Sequence, residues 1–293
     1  AARSWRRSKI RGMPLIDLVL LKARLGELAG RFDVDALDEC DSTSSELLRR
    51  AEHGAPAGTV VVADRQSAGR GRRGRQWLSA PESSLTFSLL WRFAGPLARL
   101  SGLSLAVGVA LARGLESLGA QGVGLKWPND VLLCLDGGHA KLAGVLVELA
   151  SDRRGTQAII GIGLNLQPPA EELPFPAAGL SQACHRLPER HLVLAALLCE
   201  LAETLERFAG DGFGGLKADW QQRHVWQGQK VQILDEAASP LLGTCLGADD
   251  DGALLLETAA GVERILAGDV SLRPAGSTLG VRPAGSPLGG RSA

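Results

Sequence analysis

The stretch Gly69-Arg70-Gly71-Arg72-Arg73-Gly74-Arg75 constrains this chain more than any other, with three glycines and four arginines in seven residues. Glycine reaches backbone conformations closed to other residues and lets a chain approach a ligand closely. Arginine stays charged and presents a planar fork of donors that matches phosphate and carboxylate oxygens. A loop with both properties is suited to closing around an anion. Gly69, Gly71 and Gly74 spell G-x-G-x-x-G, a dinucleotide signal only between a strand and the start of a helix. A strand is expected before the loop, over residues 59–63. After it, Leu85, Phe87, Leu89 and Trp91 alternate with other residues, which is the period of another strand. A Walker loop fails as well, because Arg75 and Gln76 stand where Lys and Ser or Thr belong. An Arg-Gly nucleic-acid arm is a third reading; it sits poorly on a chain whose 32 basic and 32 acidic residues cancel. A solvated basic turn is the plainest reading.

The 293 residues allow one large domain or two smaller ones. Five cysteines, an odd number without a C-x-x-C pair, imply reduced thiols in a cytoplasmic protein. The five histidines show no metal-ligand spacing. Near the start, Arg3, Arg6, Arg7, Lys9 and Arg11 precede an apolar run, as in a secretory signal. Asp17 interrupts that run and Lys22 and Arg24 close it, so a short amphipathic helix over 15–28 is expected instead. The only Met is residue 13, so residues 1–12 are expected to lie upstream of the natural start. No apolar run is read as long enough to span a membrane.

Further along, Thr43 to Glu46 fits a capping box that opens a helix. A second reading has the hydroxyls and backbone N–H groups of that segment binding a polar ligand group. A long packing helix is expected over 97–118. Lys126-Trp127-Pro128-Asn129-Asp130 then reads as a loop carrying a cation, a ring, an amide and a carboxylate. A hairpin turn at 136–139 leads into a strand that begins with Lys141 and holds Gly144. Lys141 is either an edge-strand charge or a cation inserted to neutralise a ligand. Gly161 and Gly163 inside the next apolar strand mark a close approach by a backbone or a ligand. Helices are expected over 191–208 and 213–222. Strands at 230–234, 241–246, 253–257 and 262–266 suggest a small all-β module. From Pro274 the Gly-, Pro- and Ser-rich tail should be disordered.

Taken in this order, these features resemble the biotin protein ligases, the biotin–[acetyl-CoA-carboxylase] ligase family. The resemblance runs from about Asp41 to Pro274 and is most specific at 69–75, 126–130, 141–148 and 161–165. It implies an α+β fold: a mixed β-sheet flanked by helices, like the catalytic domains of class II aminoacyl-tRNA synthetases, plus a small C-terminal SH3-like barrel. The corresponding organisation is an N-terminal extension (1–35, partly disordered), a catalytic domain (36–225), the SH3-like domain (226–274) and a disordered tail (275–293).

The resemblance also implies a reaction and its site. Biotin and ATP give biotinyl-5′-AMP, and the biotinyl group passes to one lysine of a biotin carboxyl carrier protein. Lys141, Arg70 and Arg72 match the catalytic cations. Ser42, Thr43, Ser44, Gln66, Gly71 and Gly144 match the biotin pocket, with Ser44 standing where the family usually has Asn. Gly69, Arg72, Arg75, Trp77, Lys126, Asn129 and Asn165 fall to ATP or the adenylate, with Trp77 expected to stack on adenine. Asp130 is a candidate for Mg²⁺. Some relatives carry a DNA-binding domain in front; only some forty residues precede Asp41 here, so no DNA partner and no membrane are expected, and monomer and homodimer stay open. Lipoate or octanoate ligases and transferases share the catalytic fold and form the nearest alternative. A nucleic-acid-binding module is a remote one.

Overall fold

Alternating apolar residues build the central sheet of the computed structural model, which describes residues 6–7, 15–152, 155–171, 173–235, 238–268 and 270–276. Its strands are β1 (Arg6–Arg7), β2 (Asp33–Cys40), β3 (Thr59–Gln66), β4 (Ser84–Phe93), β5 (Val123–Lys126), β6 (Asp130–Leu135), β7 (Gly138–Asp152) and β8 (Gly155–Asn165). They pair in the order β1-β2-β3-β4-β8-β7-β6-β5. The sheet is mixed: β1–β2 and β2–β3 are parallel and the other pairs antiparallel. Lys141 therefore lies on an interior strand between β6 and β8, which excludes the edge-charge reading.

Strand periodicity sends successive side chains to opposite faces. Val60 and Val62 enter the main core, under α1 (Leu18–Leu25), α3 (Leu103–Ser117) and α4 (Arg190–Asp211). Val61 faces the other way and packs with Leu47 of α2 (Thr43–Glu52), Leu90 and Ile159. Each fully buried Val or Leu contributes about 1.5–3 kcal/mol, so both faces hold the sheet. Beyond α2 the second face is nearly bare. Thr86, Gly163 and Gly144 stand side by side in register on β4, β8 and β7, and so do Ser88, Gly161 and Leu146.

Several sequence expectations change in detail. The helix expected over 15–28 is α1, capped by Asp17, followed by a 3-10 turn at Gly26–Arg31. The helix expected over 97–118 is broken into a 3-10 turn, Leu97–Leu100, and α3. The break is Gly102, at φ 79°, where a Cβ would lie 2.6 Å from that of Phe213. Contrary to the sequence reading, the segment Leu97–Ser117 is long and apolar enough to cross a membrane; in the fold it is interrupted at Gly102 and its α3 part packs in the core. Strand β2 went unread because Asp33, Asp35, Asp38 and Glu39 mask the buried Val34 and Ala36. The capping box does not form: Ser42 is the N-cap without a side-chain cap bond, and Glu46 pairs with Arg49 and Arg50 instead. The expected disorder of the N-terminal extension and of the tail concerns mainly residues 1–5, 8–14 and 277–293, which lie outside the described residues.

A second sheet of five strands joins β9 (Lys230–Asp235), β10 (Ala238–Ala248), β11 (Leu254–Thr258), β12 (Gly261–Ile265) and β13 (Val270–Pro274) in the order β12-β11-β10-β9-β13. All its pairs are antiparallel, as an SH3-like domain requires. β13 extends the module beyond the four strands read from sequence. The acidic turn 249–252 is a docking element: Trp127 Nε1 donates to the Gly252 carbonyl at 3.0 Å and Ser101 Oγ to that of Asp251 at 2.6 Å.

His224 closes the same seam. It follows α5 (Lys217–Arg223), stacks on Trp220 at 4.4 Å, and places Nδ1 3.8 Å from Cys245 Sγ on β10. Its Nε2 is buried without a hydrogen-bond partner among the described residues. Burial pushes the imidazole down to about 3 from 6.5. Below pH 6.5 the unfolded chain gains a proton that the folded chain refuses. The stability is therefore full above that pH and is lost as pH falls toward 3. At pH 5 the loss is on the order of 2 kcal/mol. Thermal unfolding at pH 7.5 and pH 5 should show a larger drop in midpoint for the parent than for His224→Phe; equal drops would contradict this account.

Candidate active site

The bare patch of the sheet is the floor of a cavity of about 50 Å³. Ser42, Thr43 and Ser44 reach it from the start of α2, and Gln66 from the end of β3. Gly144, Gly161 and Gly163 supply the flat surface. Their missing side chains create the space: a Cβ on Gly161 would sit 2.4 Å from Ser44 Oγ, and one on Gly163 only 2.2 Å from the Trp77 ring.

The arginine loop forms the rim. Its ends are pinned by a bridge between Arg70 and Gln76, and Trp77 N donates to the Gly69 carbonyl at 2.9 Å. Gly69 is needed for that closure, since a Cβ there would meet the Trp77 carbonyl oxygen at 2.3 Å. Arg70 grips Glu148 with both terminal nitrogens, at 2.6 and 3.2 Å. Arg72 donates to Asn129 Oδ1 at 3.0 Å and to the Gly268 carbonyl at 2.8 Å, tying the rim to the second sheet. Asn129 in turn donates to the Val145 carbonyl. Arg75 is exposed and lines no part of the cavity.

Beside the cavity, Asp130 is shared by two ammoniums. Lys141 Nζ lies 2.7 Å from Oδ1 and Lys126 Nζ 3.0 Å from Oδ2. Burial alone would raise the Asp130 carboxyl, but Lys141 and Lys126 hold it far below the usual carboxylate range. Burial pushes the Lys126 ammonium down, and Asp130 opposes that shift. Lys141 is fixed along its backbone too: its N–H donates to the Pro176 carbonyl and its carbonyl accepts from Ala178 N. Its ammonium lies 5.8 Å from the rings of both Trp77 and Phe175. The ensemble is a polar-floored slot with a cationic wall.

The sequence profile of the Biotin/lipoate A/B protein ligase family matches residues 39–165, and that of the Biotin protein ligase C terminal domain matches 228–273. The bifunctional ligase/repressor BirA of Escherichia coli is 36% identical over 265 residues, 89% of this chain and 80% of that protein. The biotin–[acetyl-CoA-carboxylase] ligase of Mycobacterium tuberculosis is 32% identical, covering 88% of this chain and 95% of its own length. Among solved structures, the biotin protein ligase from Aquifex aeolicus in complex with biotin and ATP superposes with a TM-score of 0.71 at 33% identity, over 83% of this chain and 99% of that one. The chain belongs to the biotin protein ligase family.

As a biotin protein ligase it brings most of the expected residues together: Ser42, Thr43, Ser44, Gln66, Arg70, Gly71, Arg72, Trp77, Asn129, Lys141 and Gly144 line one cavity. Others take different positions. Asn165 is buried, and its amide donates to the backbone carbonyls of Ala178 and Lys141, so it braces the lysine strand instead of facing a nucleotide. Trp77 lies over Gly163 and Gly144 inside the pocket read as biotin's, with its Nε1 buried and without a partner among the described residues. Ligand pockets typically measure about 300 Å³ or more, so the indole must shift before a ligand of that size enters. Asp130, which the resemblance offers as a candidate for Mg²⁺, has both oxygens engaged by the ammoniums of Lys141 and Lys126, whose charge opposes a divalent cation there. No group of three or more potential metal-ligating side chains occurs among the described residues.

Sequence reasoning missed three participants. Arg273, from the last strand, is close enough to Asp130, Arg75 and Arg73 to feel their charges; burial lowers its guanidinium and Asp130 opposes that. It sits at the end of the SH3-like region, beyond the last strand read from the sequence at 262–266. Glu148 and Ser88 are likewise visible only once the strands are in register. Removing the Asp130 charge leaves Lys126 buried without compensation. Asp130→Asn should therefore cost about 3 kcal/mol of stability in urea unfolding, and a loss below about 0.5 kcal/mol would contradict the shared-carboxylate account.

Proposed function

We propose that this chain activates biotin with ATP as biotinyl-5′-AMP and transfers the biotinyl group to a lysine of a biotin carboxyl carrier protein. The reading rests above all on one observation: a cavity lined by hydroxyls and amides is also lined by Lys141, whose ammonium pairs with the Asp130 carboxylate that Lys126 shares. A ring with polar groups fits such a floor, whereas the dithiolane of lipoate offers it no hydrogen bonds. That favours biotin over lipoate or octanoate.

In the first step a biotin carboxylate oxygen attacks the α-phosphorus and pyrophosphate leaves. Both reactants are anions, so the barrier includes their repulsion. Fixed cations that are already in place offset it without reorganising. Lys141 is suited to hold the carboxylate, because its backbone is clamped on both sides. Lys126 and Arg273 are suited to the phosphates, and Arg72 to the growing charge between them. Arg70 joins them on leaving Glu148. Trp77, once displaced, is available to stack on adenine. Mg²⁺ enters with the nucleotide as part of the substrate. In the second step the carrier's lysine amine attacks the acyl carbon and AMP departs.

The five unpaired cysteines support a cytoplasmic setting. The nucleic-acid reading loses support because Arg70 and Arg72 are engaged within the protein.

Incubation with biotin, ATP, Mg²⁺ and a carrier domain should add one biotinyl group to the carrier by mass spectrometry, and lipoate should add nothing. Lys141→Ala should lower the rate on the order of 100-fold with an unchanged circular dichroism spectrum. Near-normal activity of that variant would overturn the charge assignment.

A further inference from the structure

Ser88 lies under the pocket floor, fully buried on β4, and is not among the cavity-lining residues. It nevertheless links the two hydroxyl residues above it. Its Oγ is 2.8 Å from Thr43 Oγ1 and 3.0 Å from Ser44 Oγ, and Thr43 Oγ1 is 3.2 Å from Gln66 Oε1. The far end is fixed independently, because Thr43 N, which can only donate, lies 2.8 Å from the same Gln66 atom. That atom is therefore the amide oxygen, which has no proton to give.

The protons can then be assigned by counting. Three oxygen–oxygen contacts each need one proton, and the three hydroxyls hold one each. With a pure acceptor at one end, a single arrangement satisfies all three: Ser44 donates to Ser88, Ser88 to Thr43, and Thr43 to Gln66. Every hydroxyl proton is consumed inside the chain. Towards the cavity, Thr43 Oγ1 and Ser44 Oγ are left only with lone pairs, and the Gln66 amide nitrogen only with hydrogens.

We propose that Ser88 is a positioning residue that sets this polarity and so makes the pocket selective for a ring carrying N–H donors beside a carbonyl acceptor. The inference rests on the biotin reading above, since a cyclic urea has that pattern. Without the Ser88 hydroxyl, Ser44 recovers a free proton and can donate into the cavity, and Thr43 loses the bond that orders it. The shape of the pocket stays, but its preference for N–H weakens. Ser44, which departs from the family's usual Asn, is the residue that makes this chain of three hydroxyls complete.

The test uses binding to the whole protein, measured by calorimetry with desthiobiotin and with its oxazolidinone analogue, in which oxygen replaces one ring N–H. The parent should prefer desthiobiotin on the order of 100-fold or more, because the ring oxygen faces an acceptor. In Ser88→Ala that preference should fall at least about tenfold. Biotin KM should rise in the same variant, with kcat at saturating biotin within about twofold. Ser88→Cys, whose thiol donates weakly, should fall between the two and also serves if Ser88→Ala does not fold. An unchanged preference, or equal weakening of both ligands, would overturn the role of Ser88 alone. A parent protein that binds neither desthiobiotin nor biotin would instead overturn the biotin reading.

Discussion

A largely enclosed carboxylate shared between two ammoniums is the interaction on which the rest of this site depends. Taking Asp130, Lys126 and Lys141 out of water costs several kcal/mol per ion, and attraction recovers it only with good geometry. The fold supplies that geometry: Asp130 opens β6 opposite Lys126 at the end of β5, and Lys141 lies on the neighbouring strand β7, in register with Leu132 two residues further along β6. The cluster keeps one positive charge in excess. A fully neutral trio would not attract an anion, and the two ammoniums without the carboxylate between them would repel each other in the empty enzyme. A single carboxylate lets the site wait for its substrates with the attractive charge already in position.

That charge is useful only if the reacting groups can come close to it, and here the sheet itself makes room. Most enzymes place pockets in loops above a sheet. In this chain Gly144, Gly161 and Gly163 strip one face of two adjoining strands, β7 and β8, so a ligand can lie flat on the backbone. The same bareness leaves nothing to prevent the Trp77 ring from lying there when the pocket is empty. The indole covers the side-chain-free backbone of Gly163 and Gly144 and keeps its N–H away from water, where no acceptor among the described residues meets it. An unpaired buried donor costs about 1–3 kcal/mol, so the resting position is shallow enough for a ligand to displace.

The parts legible in the sequence were those with local signals. The Gly-Arg loop, the lysine at the head of a strand and the glycines inside strands all announce themselves within a few residues. Position 43 shows the limit of such signals. Thr43 and Glu46 have the spacing of a capping box, yet their side chains go to Gln66 and to Arg49 and Arg50, because the second sheet face offers Thr43 a stronger set of partners. Asn165 shows another: the amide is where the resemblance puts it, but it is spent on carbonyls 13 and 24 residues away along the chain. Ser88 and Glu148 carry no local mark at all. Their roles come from register across strands, which period-two alternation can suggest but cannot align.

Arg273 extends the point to the domain level. The sequence separates a catalytic region from a small β-module, and the two sheets are distinct. Yet a guanidinium on the module's last strand lies within the field of Asp130, its turn at Gly268 holds Arg72, and its acidic turn accepts from Trp127, three residues before Asp130. Each contact lands on an element of the charge cluster or its rim. Loosening the module would therefore not simply remove a neighbour: it would release the rim arginine, withdraw one cation and free the loop that carries the shared carboxylate. The second sheet is better understood as the outer wall of the charge cluster and its arginine rim than as an appendage, and the stacked, uncharged His224 in the seam is part of what keeps that wall in place.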